Sequence, residues 1–244
     1  MSRATAANEM TRNQFSFFDC ENYIISNSYV QSKQMSSFHS GNCINAYMRQ
    51  NDDCEPKLKV VSLFSGAGGL DLGIIQAGCE VIWANDVDKD AVATYKRNVG
   101  DHIVCADIKD ISFSDIPVAD IIVGGFPCQG FSQANLLRTV SDERNQLYKF
   151  FLSAVLEKQP RFFIAENVRG ILSIDEGRAI KRIVEDFENA GYIVTVTLAN
   201  LADYGIPQTR QRVFIIGQRS DLSDEMLFDF PQKTHGRNGV PQDD

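Results

Sequence analysis

Residues 59–70 have the sequence KVVSLFSGAGGL, in which an apolar run passes directly into a cluster of glycines. Glycines at a turn between a strand and a helix let the backbone bend tightly and approach a ligand without an intervening Cβ atom. Asp86 lies 20 residues after Gly66 (86 − 66), the spacing at which a carboxylate meets ribose hydroxyls in nucleotide-binding sheets. We therefore predict a nucleotide-like cofactor at this turn. For the glycines alone, a plain structural turn is the alternative.

Around this turn the sequence pattern is regular. Seven short, β-branched and apolar runs are separated by segments with helical spacing of apolar residues, most clearly in 144–158 and 175–190. The runs are apolar throughout rather than alternating, which is typical of a parallel sheet that is covered on both faces. We predict an α/β fold with a doubly wound, mostly parallel seven-stranded sheet. The predicted strands are 59–64, 80–85, 102–105, 120–124, 161–165, 192–199 and 212–217.

Length and composition narrow the class of protein. The 244 residues suffice for one α/β domain with a full core. No apolar run is long enough to span a membrane, and the N-terminus lacks the pattern of a signal peptide, so we expect a cytoplasmic protein with no membrane partner. The six cysteines and three histidines have no short paired spacing, which favours neither a metal site nor a disulfide framework.

Three further motifs carry groups that are suited to catalysis. Cys128, behind a proline in the sequence GFPCQGFS at 125–132, follows a predicted strand and is placed to present a thiolate nucleophile. Glu166 opens a Glu-Asn-Val sequence at the end of another predicted strand. Arg210 and Arg212 alternate with other residues in QTRQR at 208–212, so both point to one side of an extended segment. The structural alternatives are a salt-bridged surface carboxylate and two solvated arginines.

In identity and order, these motifs resemble those of the cytosine-5 DNA methyltransferase family. The resemblance covers residues 59–236 and implies S-adenosylmethionine as the cofactor. It implies that Phe64 packs on the adenine, that Asp86 binds the ribose and that Val87 lies against the base. Asp107 matches the family's adenine carboxylate, and a helix N-cap is its structural alternative. The candidate cofactor-binding residues are Phe64, Gly66, Gly68, Gly69, Leu70, Asp86, Val87, Asp107, Ile108 and Pro127.

The resemblance also implies a mechanism. A cytosine flipped out of double-stranded DNA would react through a covalent bond between the Cys128 thiolate and its C6 atom. Glu166 would contact N3 and the exocyclic amine, while Arg210 and Arg212 would assist the nucleophile and contact O2. Residues 130–144 resemble the mobile loop that closes over DNA. Candidate phosphate contacts in and beside this loop are Gln129, Ser132, Arg138 and Arg144.

The chain divides into three parts by pattern. We expect residues 1–56 to be a poorly ordered extension, 57–236 to form the catalytic and cofactor-binding domain, and 237–244 to be a tail where a target-recognition region would begin. Complete family members continue with that region and two further motifs. The net charge of −8 does not suit phosphate contacts, which need clustered basic residues. Either a local basic face or a second polypeptide would supply them, and we favour the second polypeptide.

The expected function is therefore that of the larger polypeptide of a split DNA (cytosine-5)-methyltransferase in a restriction-modification system. Three alternatives stay open. The chain could be a truncated inactive methyltransferase, a tRNA cytosine-5 methyltransferase, or a module that binds the cofactor or DNA without turnover.

Overall fold

The structure, a computed structural model, describes residues 57–127, 147–226 and 228–236. Seven strands and four α-helices are described. The strands are β1 (Lys59–Leu63), β2 (Glu80–Asp86), β3 (Ile103–Cys105), β4 (Ile121–Gly124), β5 (Phe162–Val168), β6 (Tyr192–Asn200) and β7 (Gln211–Arg219). The helices are α1 (Gly69–Gln76), α2 (Lys89–Asn98), α3 (Leu147–Lys158) and α4 (Arg178–Asn189).

The strands form one sheet in the order β3-β2-β1-β4-β5-β7-β6. The pairs from β3 across to β5 are parallel, whereas β7 runs antiparallel to both of its neighbours, β5 and β6. The prediction of a doubly wound, mostly parallel seven-stranded α/β sheet is confirmed. None of the helices in the described ranges has the length and apolar character that a membrane crossing requires.

A core cluster packs against each face of the sheet. Successive residues of a strand point to opposite faces, so neighbouring residues belong to different clusters. Val61, Ile122 and Phe163 belong to one core cluster, which includes side chains of α3 and α4. Their neighbours Val60 and Ile121 belong to a second cluster on the other face, which α1 covers. This two-sided burial explains why the central strands β1 and β4 are apolar over almost their whole length.

Two element boundaries differ from the predictions by three residues, and the other boundaries within the described ranges agree to within two. Strand β5 does not end at residue 165 but continues to Val168, because Glu166, Asn167 and Val168 pair with β7. The helix predicted at 175–190 begins three residues later, at Arg178. Asp175 and Glu176 have φ values of 52° and 55°, and a left-handed backbone cannot continue into a right-handed helix.

The predicted extension at 1–56, the tail at 237–244 and the start of the helix predicted at 144–158 lie outside the described residues. The domain boundaries therefore stay predictions.

An aromatic cluster forms the centre of the larger core. The rings of Phe163 and Phe187 lie 4.2 Å apart between centroids, and Phe151 and Tyr192 meet Phe163 in edge-on contacts. Gly217 pairs directly with Phe163 across β5 and β7. A Cβ atom at Gly217 would overlap the Phe163 ring, so the absence of a side chain there makes room for the aromatic cluster.

We expect Gly217→Ala to lower the free energy of unfolding by about 1–3 kcal/mol, because the added methyl group overpacks a buried site. The measurement is urea unfolding followed by circular dichroism. Gly170→Ala is the matched control, since the nearest atom to its new Cβ is 3.9 Å away, and we expect a change below about 0.5 kcal/mol there. Equal effects of the two substitutions would contradict the packing role of Gly217.

Candidate active site

The candidate site lies at the carboxyl ends of β1 and β4, where the strand order reverses. Ligands in open α/β sheets usually bind at this switch point. A cavity of about 500 Å³ opens there. Its lining includes Phe64 and Leu70 from the turn after β1, together with Glu166, Arg210 and Arg212. The fold thus brings the predicted cofactor turn and three of the predicted catalytic residues, Glu166, Arg210 and Arg212, to one cavity.

The turn after β1 depends on residues in the left-handed region. Gly66 and Gly68 have φ values of 55° and 89°, and Phe64 adopts 54° although it carries a side chain. A Cβ atom at Gly66 or Gly69 would meet no atom within 4 Å, whereas one at Gly68 would lie 2.6 Å from Val99. Gly66 and Gly69 therefore leave open space beside the cavity, and Gly68 is required for packing against α2 and the residue that follows it.

Asp86 holds the glycine turn through backbone hydrogen bonds. Its Oδ2 atom accepts from the N–H of Gly66 at 2.7 Å, and its Oδ1 atom accepts from the N–H of Asp88 at 2.9 Å. These bonds fix the carboxylate at the end of β2, beside the turn that it supports. A contact with a ribose stays a prediction.

The other predicted cofactor residues on this side have different surroundings. Asp107 caps a short 3₁₀ helix, Ile108–Asp110, by accepting from the N–H of Lys109 at 3.1 Å. The structural alternative for Asp107 is thus observed, through one of its two oxygens. Ile108 is buried in the core, whereas 63% of Val87 is exposed. Their contacts with a cofactor stay predictions.

Glu166 and Arg212 form an ion pair inside the cavity. The Nε atom of Arg212 lies 2.6 Å from Oε1 of Glu166, and the two side chains are only 17% and 28% exposed. The ion pair follows from the register of β5 against β7. Arg212 lies opposite Val168, which is two residues from Glu166 and therefore on the same face of β5. A Cβ atom at Gly125 would lie 3.2 Å from the other carboxylate oxygen, Oε2. Glu166 is therefore salt-bridged, but to a second candidate catalytic residue rather than to a surface cation.

The two arginines take different positions beside the cavity. Arg212 lies within β7 and also donates from Nη1 to the carbonyl oxygen of Gln211 at 2.8 Å. Arg210 precedes β7, is exposed, and lines the same cavity. The structure thus places both arginines at one cavity; that both point to the same side of an extended segment stays a prediction.

Asn167 connects β5 to the segment that leads toward Cys128. Its side chain is buried and donates from Nδ2 to the carbonyl oxygen of Phe126 at 2.9 Å. Its Oδ1 atom accepts from the N–H of Val168 at 2.9 Å. Cys128 itself lies outside the described residues, as do the phosphate-contact candidates of the following loop. Pro127 is exposed and is the last described residue before that gap.

Sequence reasoning missed a buried carboxylate beneath the glycine turn. Asp71, in the first turn of α1, has no exposed surface and accepts hydrogen bonds from Ser62 and Tyr95. Burial raises the pKa of the Asp71 carboxyl, and the two hydrogen bonds act against that rise. The one signal in the sequence is a serine inside the apolar run of β1, which gives no indication of its partner.

Comparison with known proteins identifies the family. The family described as C-5 cytosine-specific DNA methylase matches residues 58–243. The chain belongs to this family. The resemblance inferred from the motifs is therefore confirmed, and the family's fold agrees with the observed sheet.

Several relatives are similar over most of this chain. The type II methyltransferase M.NgoFVII of Neisseria gonorrhoeae is 49% identical over 187 residues, which is 75% of this chain and 49% of the relative. M.FnuDI of Fusobacterium nucleatum, also a type II methyltransferase, is 45% identical over 71% of this chain and 50% of its own length. The chain thus spans about half the length of the curated relatives that it matches.

Solved structures share the fold. A candidate DNA modification methyltransferase encoded within an E. coli prophage superposes with a TM-score of 0.59 at 35% identity, over 68% of this chain and 48% of that one. The Dnmt2 methyltransferase of S. pombe superposes with a TM-score of 0.56 at 21% identity, over 67% and 51% of the two chains. At that identity the second likeness concerns the fold alone.

We expect Asn167→Ala to lower the free energy of unfolding by about 1–3 kcal/mol, because it leaves the buried carbonyl of Phe126 without this donor. Thermal and urea unfolding would measure the loss. Asn98→Ala is the control: it removes an exposed bond of 2.8 Å from an asparagine to the carbonyl of Thr94, and surface changes of this kind cost less than about 0.5 kcal/mol. A loss at Asn167 no greater than at Asn98 would contradict the bridging role.

Proposed function

We propose that this chain is the catalytic core of a DNA (cytosine-5)-methyltransferase, which transfers a methyl group from S-adenosylmethionine to C5 of cytosine in double-stranded DNA. The observation that carries the proposal is the meeting of the glycine turn with the Glu166–Arg212 pair at one cavity, in a member of the C-5 cytosine-specific DNA methylase family. Relatives at 49% and 45% identity are type II methyltransferases. This supports a role in a restriction-modification system.

The residues of the turn fit S-adenosylmethionine. Gly66 and Gly69 leave space into which a cofactor can approach the backbone, and the first N–H groups of α1 have no partner within the helix. Such groups favour a carboxylate ligand. Asp86 beside the turn can accept from ribose hydroxyls, and Phe64 lines the cavity where a purine would stack. When bound, S-adenosylmethionine supplies an electrophilic methyl group.

The chemistry of cytosine requires a nucleophile at C6, because C5 alone reacts poorly with a methyl donor. In the proposed reaction the Cys128 thiolate adds to C6, and the electrons of the C5–C6 double bond make C5 nucleophilic. After methyl transfer a base removes the C5 proton. The C6–S bond then breaks, which restores the double bond and releases the thiolate. The ring reaches the pocket only when it is flipped out of the duplex.

Glu166 and Arg212 are proposed to hold the cytosine during these steps. The carboxyl group of Glu166 would contact N3 and the exocyclic amine, and Arg212 would contact O2. Their ion pair of 2.6 Å fixes both groups before the base arrives, so little reorganisation is needed in the reaction. Arg210, exposed at the cavity, is proposed to assist the nucleophile.

Target recognition is proposed to come from a second polypeptide. The net charge of −8 does not suit a DNA-binding surface by itself. Leu72 and Ile75 are 38% and 39% exposed, and their spacing places them on one face of α1. A partner that covers this face and carries basic residues would supply both the missing apolar contact and the phosphate contacts.

The cofactor proposal predicts that Asp86→Ala weakens the binding of S-adenosylhomocysteine at least about tenfold, because both the ribose contact and the support of Gly66 are lost. Isothermal titration calorimetry measures the affinity. Asp101→Asn, at an exposed position before β3, should leave it unchanged. An unchanged affinity of the Asp86 variant would count against this binding mode.

The DNA proposal predicts labelled methyl transfer to double-stranded DNA when the chain is co-expressed with the product of its neighbouring reading frame, and none from the chain alone. Cys128→Ala should abolish the transfer and leave the affinity for S-adenosylhomocysteine unchanged, because the thiolate acts only on the cytosine.

Each other outcome points to a specific error. Transfer by the chain alone would contradict the need for a second polypeptide. Absence of methyl transfer in both preparations would favour a truncated, inactive methyltransferase. Labelling of tRNA alone would favour a tRNA cytosine-5 methyltransferase. Loss of cofactor binding in Cys128→Ala would mean that the cysteine has a structural role.

A further inference from the structure

A continuous chain of buried polar groups lies beneath the glycine turn. The Oγ atom of Ser62 donates to Oδ1 of Asp71 at 2.7 Å, and the hydroxyl of Tyr95 donates to Oδ2 at 2.7 Å. The Tyr95 oxygen also lies 3.0 Å from Nε2 of His102. Ser62, Asp71 and Tyr95 have no exposed surface. This hydrogen-bond network joins β1, α1, α2 and the residue before β3.

The number of protons available decides which group donates in each hydrogen bond of this network. When Asp71 is ionised, its two oxygens can only accept, and each accepts one hydrogen bond, from the hydroxyls of Ser62 and Tyr95. Tyr95 has a single proton, and it is already donated to Asp71. The 3.0 Å contact with His102 is therefore a hydrogen bond only if Nε2 of the imidazole carries a proton and donates it to the Tyr95 oxygen. With Asp71 ionised and His102 protonated at Nε2, donation runs from His102 through Tyr95 to Asp71.

The ring of Tyr95 also contacts the glycine turn itself. A Cβ atom at Gly68 would lie 2.8 Å from Cδ2 of Tyr95, so the ring packs directly against the N-cap residue of α1. Asp71 is the third residue of that helix. The ring and the hydroxyl of one tyrosine thus define where the turn lies and where α1 begins.

We propose that Asp71, Tyr95 and His102 are positioning residues for the cofactor: they fix the glycine turn and the first turn of α1 in the geometry that receives S-adenosylmethionine. The inference rests on the proposed function of the cavity. Asp71 and Ser62 lie at the base of that cavity, but they have no exposed surface, so they act through the backbone above them and touch neither cofactor nor DNA. A preorganised site loses less freedom on binding, and loosening it lowers the affinity.

Tyr95→Phe is the sharpest test, because it keeps the ring against Gly68 and removes only the hydroxyl. We expect the affinity for S-adenosylhomocysteine, measured by calorimetry on the full chain, to fall about tenfold, the size expected for one hydrogen bond to a charged group. Tyr192→Phe is the matched control. This substitution also removes a buried tyrosine hydroxyl, which donates to the carbonyl of Pro160 at 2.8 Å. Tyr192 lies in β6, at an edge of the sheet that is separated from β1 and the glycine turn by three strands.

The melting temperature separates positioning from general destabilisation. We expect both variants to melt earlier, while only Tyr95→Phe loses affinity and Tyr192→Phe stays within about twofold of the unaltered chain. Equal affinities of the two variants would overturn the proposal. Failure of the unaltered chain to bind S-adenosylhomocysteine would overturn the cofactor site itself, and the positioning role with it.

A second measurement needs no variant. Nitrogen-15 NMR of the unaltered chain reports which imidazole nitrogen of His102 is protonated, and we expect Nε2. A neutral ring protonated at Nδ1 alone would overturn the chain of donors. Should Tyr95→Phe fail to fold, Ser62→Ala removes the other donor to Asp71, and it too should lower the affinity; an unchanged affinity there would overturn the proposal.

Discussion

The candidate site depends on the position of strand β5 between β4 and β7. It pairs in parallel with β4 along one edge and antiparallel with β7 along the other. The first pairing brings Asn167 to the carbonyl of Phe126, and the second brings Glu166 to Arg212. A slip of one residue against β7 would turn Glu166 to the opposite face of the sheet. The register is secured by the fit of Phe163 over Gly217, so core packing and site geometry are set by the same pair of strands.

The glycine turn is held by two carboxylates in different environments. Asp86 is partly exposed and binds the turn directly, through the N–H of Gly66. Asp71 is fully buried and acts from below, through Tyr95 and the start of α1. A partly exposed carboxylate remains available to a ligand, whereas a buried one is committed to internal donors. One aspartate at the turn is therefore open to a ligand, and the other is committed to the internal structure of the turn.

Much of the architecture followed from local patterns. Seven apolar runs correspond to the seven strands, and the motifs around Gly66, Glu166 and Arg212 meet at one cavity as the family resemblance implied. The errors have physical causes that local patterns do not contain. The end of β5 depends on pairing with β7, and the start of α4 depends on left-handed residues at Asp175 and Glu176. The hydrogen-bond network of Ser62, Asp71, Tyr95 and His102 could not be predicted from the sequence. Its members come from four separate segments, and each resembles an ordinary surface or core residue.

The place of β7 in the sheet has a consequence for biosynthesis. Among the described strands, β7 comes last in the sequence, yet it lies inside the sheet, between β5 and β6. Until residues 211–219 have been synthesised, neither that edge of β5 nor β6 has the partner strand that it has in the described sheet. A nascent chain at this stage exposes an apolar, unpaired strand, which is the kind of surface that recruits chaperones or other chains. The strand that completes the Glu166–Arg212 pair thus also covers an apolar edge of β5.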